Sequence, residues 1–170
     1  FNFHYTGCLL QWLEKNHPEH LDALAKLVSE NRIELQSGAF YEPIMPSIPD
    51  RDKDLQITKL NEYIEKKFKT TPKGAWIAER VWEPTLVKHL AKNAIKYIMI
   101  DDSQFLTTGI DTKNMFGYFL TDDESYKLNI FPISQELRYL IPFREVEKSI
   151  EYLKSIATEE GDRVVVLHDD

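Results

Sequence analysis

Cysteine is almost missing: Cys8 stands alone in 170 residues, which excludes an internal disulfide framework. No run of about 20 apolar residues occurs, and nothing resembles a spanning helix or a secretory leader. Positive charge is in short supply, with 21 Lys and Arg against 28 Asp and Glu and a formal net charge of −7. A surface that tracks nucleic acid needs clustered Lys and Arg to displace counterions. The densest cluster, Lys66-Lys67-Phe68-Lys69, is short and reads as a solvated helix end, so a neutral substrate fits better than a nucleic acid or a membrane. There is no internal repeat, low-complexity tract or linker rich in Pro, Gly and Ser, and no domain boundary is drawn. The chain also lacks an initiating Met and begins inside an apolar run, Phe1 to Tyr5, as an internal fragment would. With one thiol and no leader, a reducing cytoplasm is the expected setting.

What is present describes a folded globular chain. Hydrophobic residues make up 42% and charged residues 29%, with nine Phe, eight Tyr and three Trp, so disorder is not expected. A chain of this length buries roughly 70% of its unfolded area on folding. Short apolar runs alternate with amphipathic stretches, the pattern of βα units around a mostly parallel sheet. Strands are expected at Phe1 to Tyr5, Ile33 to Phe40, Gly74 to Ala78, Tyr97 to Ile100, Leu128 to Ile133 and Arg163 to Leu167. Helices are expected at Cys8 to Asn16, Pro18 to Asn31, Asp52 to Phe68, Pro84 to Asn93 and Glu145 to Ile156, each with an apolar stripe at 3.6-residue spacing. The stretch Ser103 to Tyr126 is the least regular and reads as a candidate active-site loop.

In parallel βα folds ligands bind at the carboxyl ends of strands, so polar residues that close an apolar run carry the most information. Four ends qualify: Glu79 after Trp-Ile-Ala, Asp101-Asp102 after Tyr-Ile-Met-Ile, His168-Asp169-Asp170 after Val-Val-Val-Leu, and His4 in the first strand. Glu34 stands near the start of another. A carboxylate placed there loses hydration unless it is paired, hydrogen-bonded or protonated. For Glu79 the plain alternative is a structural ion pair with Arg80 or another cation. For Asp101-Asp102 and Asp169-Asp170 it is a helix cap or turn. Trp76 and Trp82 bracket Glu79 with flat apolar faces of the kind sugar rings stack on. Trp76 lies three residues from Glu79, so both reach one site only where the strand end twists. His17, His20 and His89 lie on helices without metal-ligand spacing and are expected to face solvent, and Cys8 is expected to be buried packing.

The motif "GAWIAERVWEP" (residues 74–84), preceded by "IELQSGAFYEPI" and followed by "VLHDD", is similar to the second, third and fourth motifs of glycoside hydrolase family 57. "FPISQELRYLIPFR" (residues 131–144) also resembles the 4-α-glucanotransferase and α-amylase branch of that family, and the likeness runs over essentially the whole chain. The resemblance implies an α/β fold: an incomplete (β/α)7 barrel with mostly parallel strands, its first strand missing, residues 1–170 being part of a single catalytic barrel domain. It implies a retaining enzyme that acts on α-1,4-glucans without cofactor or metal. Matched by position, Glu79 would be the nucleophile and Asp170 the general acid/base. Glu34, Trp76 and His168 would line the donor sugar site, with His4, Asp102 and Trp82 as further candidates. The family's first motif, His-Gln-Pro, and the Gly-Glu-Lys-Phe-Gly continuation of its fourth are absent, so the isolated chain is expected to be inactive and prone to aggregate.

Two other readings stand beside it. A metal-dependent polysaccharide deacetylase also places Asp-Asp after an apolar strand, but would need paired histidines for its ion. Here His4 and His168 are the strand-end imidazoles and no His-x3-His pair accompanies them. A non-catalytic carbohydrate-binding homologue would keep the barrel without needing both carboxylates. Hydrolase and transferase share a covalent intermediate, and the two carboxylates do not distinguish them.

Overall fold

The apolar run that opens the sequence forms β1 (Asn2–His4), paired in parallel with β2 (Glu34–Gln36), in a computed structural model that describes residues 1–168. Between them run α1 (Gly7–Asn16) and α2 (Pro18–Ser29). The Thr6 hydroxyl accepts the Leu9 N–H at 3.2 Å to cap α1, and Pro18 opens α2 where its missing N–H costs nothing. The chain then forms α3 (Asp50–Phe68), with Asp50 and Asp52 in its first turn and Lys66 and Lys67 in its last, charges that suit the helix dipole. Leu10, Leu21, Leu24, Leu35, Leu60 and Ile64 from these elements form one buried cluster, each side chain contributing about 1.5–3 kcal/mol.

The chain divides into two compact units. The first holds Phe1–Ile98 with Thr121–Asn129; the second holds Met99–Leu120 and the segment from Ile130 onward. In the first, a parallel bridge between Ser37 and Ala75 joins β2 to β3 (Gly74–Ala75), and β3 pairs in parallel with β4 (Tyr97–Asp101). The short α4 (Leu86–Lys92) precedes β4. The strands of the larger sheet order as β3-β4-β6-β5, with β5 at Phe119–Asp123 and β6 at Tyr126–Ile133. The result is an α/β fold with mixed sheets, whose β1 to β4 run parallel. The second unit holds α5 (Asp102–Leu106), α6 (Gln135–Leu140) and α7 (Val146–Ile156), with α6 against α7, and a parallel bridge between Ile133 and Val166.

Several expectations need correction. The irregular stretch Ser103 to Tyr126 contains most of α5 and all of β5, and β5 turns into β6 through Glu124 and Ser125, both at positive φ (48° and 70°). Among the described residues, the strand expected at Arg163 to Leu167 reduces to a single bridge at Val166. Cys8 is exposed rather than packed, because Gly7 and Leu10 form the inward face of α1 and Cys8 lies about 100° round from Gly7.

His17 and His20 are exposed, but His89 is only 2% exposed. It shares the inward stripe of α4 with Leu86 and Leu90, and its Nδ1 lies 2.8 Å from Asp54 Oδ1 while Nε2 lies 3.4 Å from Asp50 Oδ1. Both carboxylates come from α3, so the ring pins α4 to α3. His89→Ala is expected to cost about 2–4 kcal/mol, from the cavity and the lost partners of Asp54. Denaturant unfolding of the full-length protein measures it, and a change under about 0.5 kcal/mol would contradict this role.

Candidate active site

The carboxyl ends of β1, β2 and β3 meet at one backbone group. The Ser37 carbonyl accepts both the Trp76 N–H at 2.8 Å and the Nδ1 of His4 at 3.1 Å. A carbonyl only accepts, so the proton of His4 sits on Nδ1 and the ring orientation is set. Gly38 lets these groups approach: a Cβ there would lie 2.8 Å from both His4 Cε1 and the Trp76 carbonyl oxygen. The structure therefore brings His4 and Trp76 together around Ser37, a residue the sequence reading did not single out.

Beyond Trp76 the strand does not continue. Residues Ala78–Arg80 form a 3-10 turn in which Glu79 (φ 53°, ψ 16°) and Arg80 (φ 55°) are both left-handed. Such a conformation costs a non-glycine residue on the order of 1–3 kcal/mol. The strand end therefore turns sharply at Glu79 instead of alternating on as a strand. Trp76 is buried; its indole N–H donates to Glu42 Oε1 at 3.2 Å, and the Arg80 guanidinium lies over its ring at 5.7 Å from the centroid. Glu79 is exposed, and among the described residues it makes no hydrogen bond or ion pair. Glu79 and Arg80 do not pair with each other; Arg80 packs on Trp76 and has further partners besides.

Glu34 lies on the same strand face as Gln36, which pairs in register with His4, and one pleat deeper toward the amino end. Its Oε1 accepts the Tyr97 hydroxyl at 3.0 Å, and that hydroxyl accepts from Asn2 Nδ2 at 3.1 Å. Burial, and then the Glu34 charge, push the Tyr97 hydroxyl up to about 12, so it stays a donor to Glu34. The Tyr97 ring covers Gly74, where a Cβ would lie 2.3 Å from the ring. Trp82 is half-buried two residues beyond Arg80.

In the second unit, Asp102 Oδ2 accepts the Gln135 N–H at 2.9 Å, so it caps α6 rather than α5, which it begins. Ser134 caps the same helix through the Leu137 N–H and shares a 2.9 Å hydrogen bond with the Tyr152 hydroxyl. Asp102, Ser134 and Tyr152 line a cavity of about 330 Å³ together with Glu136, Val165 and Val166. His168 is half-buried and engaged. Asp170, assigned above as acid/base, lies outside the described residues.

Among the described residues no three His, Cys, Asp or Glu side chains group as a metal-binding cluster, and no helix is long and apolar enough to cross a membrane. Sequence reasoning passed over Glu42, Arg80, Ser37 and Tyr97. Only Glu42 carries a local signal, as an acidic residue between an aromatic pair and a proline in "FYEP".

Comparison with known proteins gives consistent relatives. The sequence profile described as glycosyl hydrolase family 57 matches residues 1–170. The chain is 52% identical over 169 residues to an alpha-amylase 1 from Dictyoglomus thermophilum, covering 99% of this chain and 25% of that protein. The crystal structure of a 4-alpha-glucanotransferase from Thermococcus litoralis superposes with a TM-score of 0.95 at 41% identity, over 99% of this chain and 26% of that one. A polysaccharide deacetylase structure from Mycobacterium smegmatis matches with a TM-score of 0.65 at 15% identity, over 98% of this chain and 56% of that one, a likeness of fold alone. The chain thus spans about a quarter of the length of the curated relatives it matches.

Proposed function

The chain belongs to glycosyl hydrolase family 57, and from that premise we propose that it carries the nucleophile of a retaining glycoside hydrolase or transglycosylase acting on α-1,4-glucans. The observation that carries this is the turn at Glu79. An exposed carboxylate that has no ion pair among the described residues, held on two consecutive left-handed residues at the carboxyl end of a parallel strand, is costly for folding alone. Its value lies in presenting the carboxylate to a ligand.

Glu79 attacks the anomeric carbon, the glycosidic bond breaks, and Asp170 gives its proton to the leaving oxygen. Asp170, now a carboxylate, takes a proton from water or a sugar hydroxyl, which attacks the anomeric carbon and releases Glu79. His4, Glu34, Trp76 and His168 line the donor sugar in this reading, with Trp82 and Asp102 as further contacts. The barrel is a (β/α)7 one, to which residues 1–170 contribute as part of a single catalytic domain. The α-glucan is the partner, without cofactor, in the cytoplasm. Relatives named alpha-amylase and 4-alpha-glucanotransferase, at 52% and 41% identity, support the substrate class. The deacetylase alternative rests on fold likeness at 15% identity and is not favoured.

The test is the anomeric configuration of the first product when the full-length protein acts on a maltooligosaccharide, followed by NMR before mutarotation. Two successive displacements give the α-anomer first. A β-anomer as first product, or inertness toward α-1,4-glucans, would contradict the proposal.

A further inference from the structure

Two adjacent left-handed residues without glycine do not hold themselves in place. The turn at Glu79 has two backbone hydrogen bonds of its own, Arg80 N–H to the Ile77 carbonyl at 2.9 Å and Val81 N–H to the Ala78 carbonyl at 3.2 Å. Conformations of this kind persist only where the surroundings over-determine them. Among the described residues, a side-chain restraint on this turn runs through Arg80, whose guanidinium lies over the Trp76 ring, and through Trp76 to Glu42.

We propose that Glu42 is a positioning residue for Glu79, acting through Trp76 and Arg80. This rests on the reading of Glu79 as the nucleophile. Glu42 comes from the loop after β2, 34 residues before Trp76 in sequence. That loop is firmly anchored: the Tyr41 N–H donates to Gln56 Oε1 at 2.8 Å, the Phe40 N–H to the Gln56 carbonyl at 3.3 Å, and the Glu42 N–H to the Ala39 carbonyl at 3.1 Å. Glu42 is itself left-handed (φ 52°) and precedes Pro43, a costly backbone state that aims its carboxylate at the indole.

The electrostatics reinforce one another along the chain. A carboxylate on the indole N–H draws the ring dipole toward its edge and leaves the face more negative, which strengthens the hold on the Arg80 cation. Trp76 in turn is fixed by its N–H on the Ser37 carbonyl. Glu42 therefore connects a helix-anchored loop to the residue that follows the nucleophile. Its removal leaves the carboxylate of Glu79 in place chemically but less well aimed.

The experiment compares Glu42→Ala, Glu42→Gln and Glu79→Gln in the full-length protein, with a maltooligosaccharide donor and thermal unfolding measured in parallel. Misplacement of a catalytic group by about 1 Å costs up to about 100-fold, so Glu42→Ala is expected to lower kcat about 10- to 100-fold with KM within about threefold. Glu42→Gln keeps an acceptor oxygen for the indole and is expected to stay within about threefold of the parent kcat. A merely structural role would lower the unfolding midpoint without separating kcat from KM. If Glu42→Ala does not fold, Arg80→Lys replaces it. That change keeps the charge, loses the flat face on Trp76, and is expected to lower kcat about 3- to 10-fold. Loss of turnover in Glu79→Gln with a parent-like kcat in Glu42→Ala, or in Arg80→Lys where it stands in, would overturn this inference alone. So would equal losses in Glu42→Ala and Glu42→Gln. Near-normal turnover in Glu79→Gln would overturn the nucleophile reading and this inference with it.

Discussion

Glu79→Gln in the full-length protein is expected to lower kcat by about 1000-fold or more, equivalent to about 4 kcal/mol of lost transition-state stabilisation. An amide cannot form the glycosyl ester, so both the attack and the intermediate are lost. The fold should not register the change. Glu79 is exposed and unpaired among the described residues, and the backbone strain is the same for Gln, so the unfolding free energy should move by less than about 0.5 kcal/mol. Steady-state kinetics beside a denaturant melt reads both quantities. A large loss of stability with turnover nearly intact would return Glu79 to a structural role.

Asp170→Asn is expected to lower turnover of maltooligosaccharides by about 100- to 10,000-fold, the range for removing a general acid/base. The sign of a second effect makes the assignment specific. A glucosyl fluoride expels fluoride without protonation, so its attack step should be nearly spared. Azide is already anionic and needs no base, so it should release the accumulated intermediate and restore turnover of the fluoride. Equal losses on both donors, without recovery in azide, would remove Asp170 from the acid/base role.

The fold was unevenly legible in the sequence. Of the helices, α1 to α4 and α7 were legible, because stripes such as Ile57, Leu60 and Ile64 on α3 are spaced for one buried face and are buried there; α5 and α6, too short to repeat a stripe, were not. The β5–β6 hairpin was not: a two-residue turn with both residues at positive φ is signalled by Asn-Gly or Asp-Gly, and here it is Glu124-Ser125. Val164-Val165-Val166 reads as a strand from composition, yet among the described residues only Val166 bridges a neighbour, since an apolar run carries no record of its ladder partners.

In the site, an acidic residue closing an apolar run was enough to single out Glu79. Strand alternation argued against Trp76 and Glu79 reaching one place, and the left-handed turn removes that objection. No local propensity announces that turn, because neither Glu79 nor Arg80 is Gly, Asn or Asp. His89 misleads for a related reason: a polar residue on a buried helical stripe looks exposed until its carboxylate partners on α3 are seen. Glu42 was hidden for want of a partner, since Trp76 is far along the chain and only folding brings the two together.

The most direct measurement of the central claim is the site of covalent labelling. The full-length protein is incubated with a fluorosugar donor that glycosylates quickly and deglycosylates slowly, then digested, and its peptides are weighed and fragmented. The account expects the added glycosyl mass on the peptide containing Gly74 to Pro84, carried by Glu79. A label on another carboxylate, or consumption of the donor with Glu79 unlabelled, would contradict it.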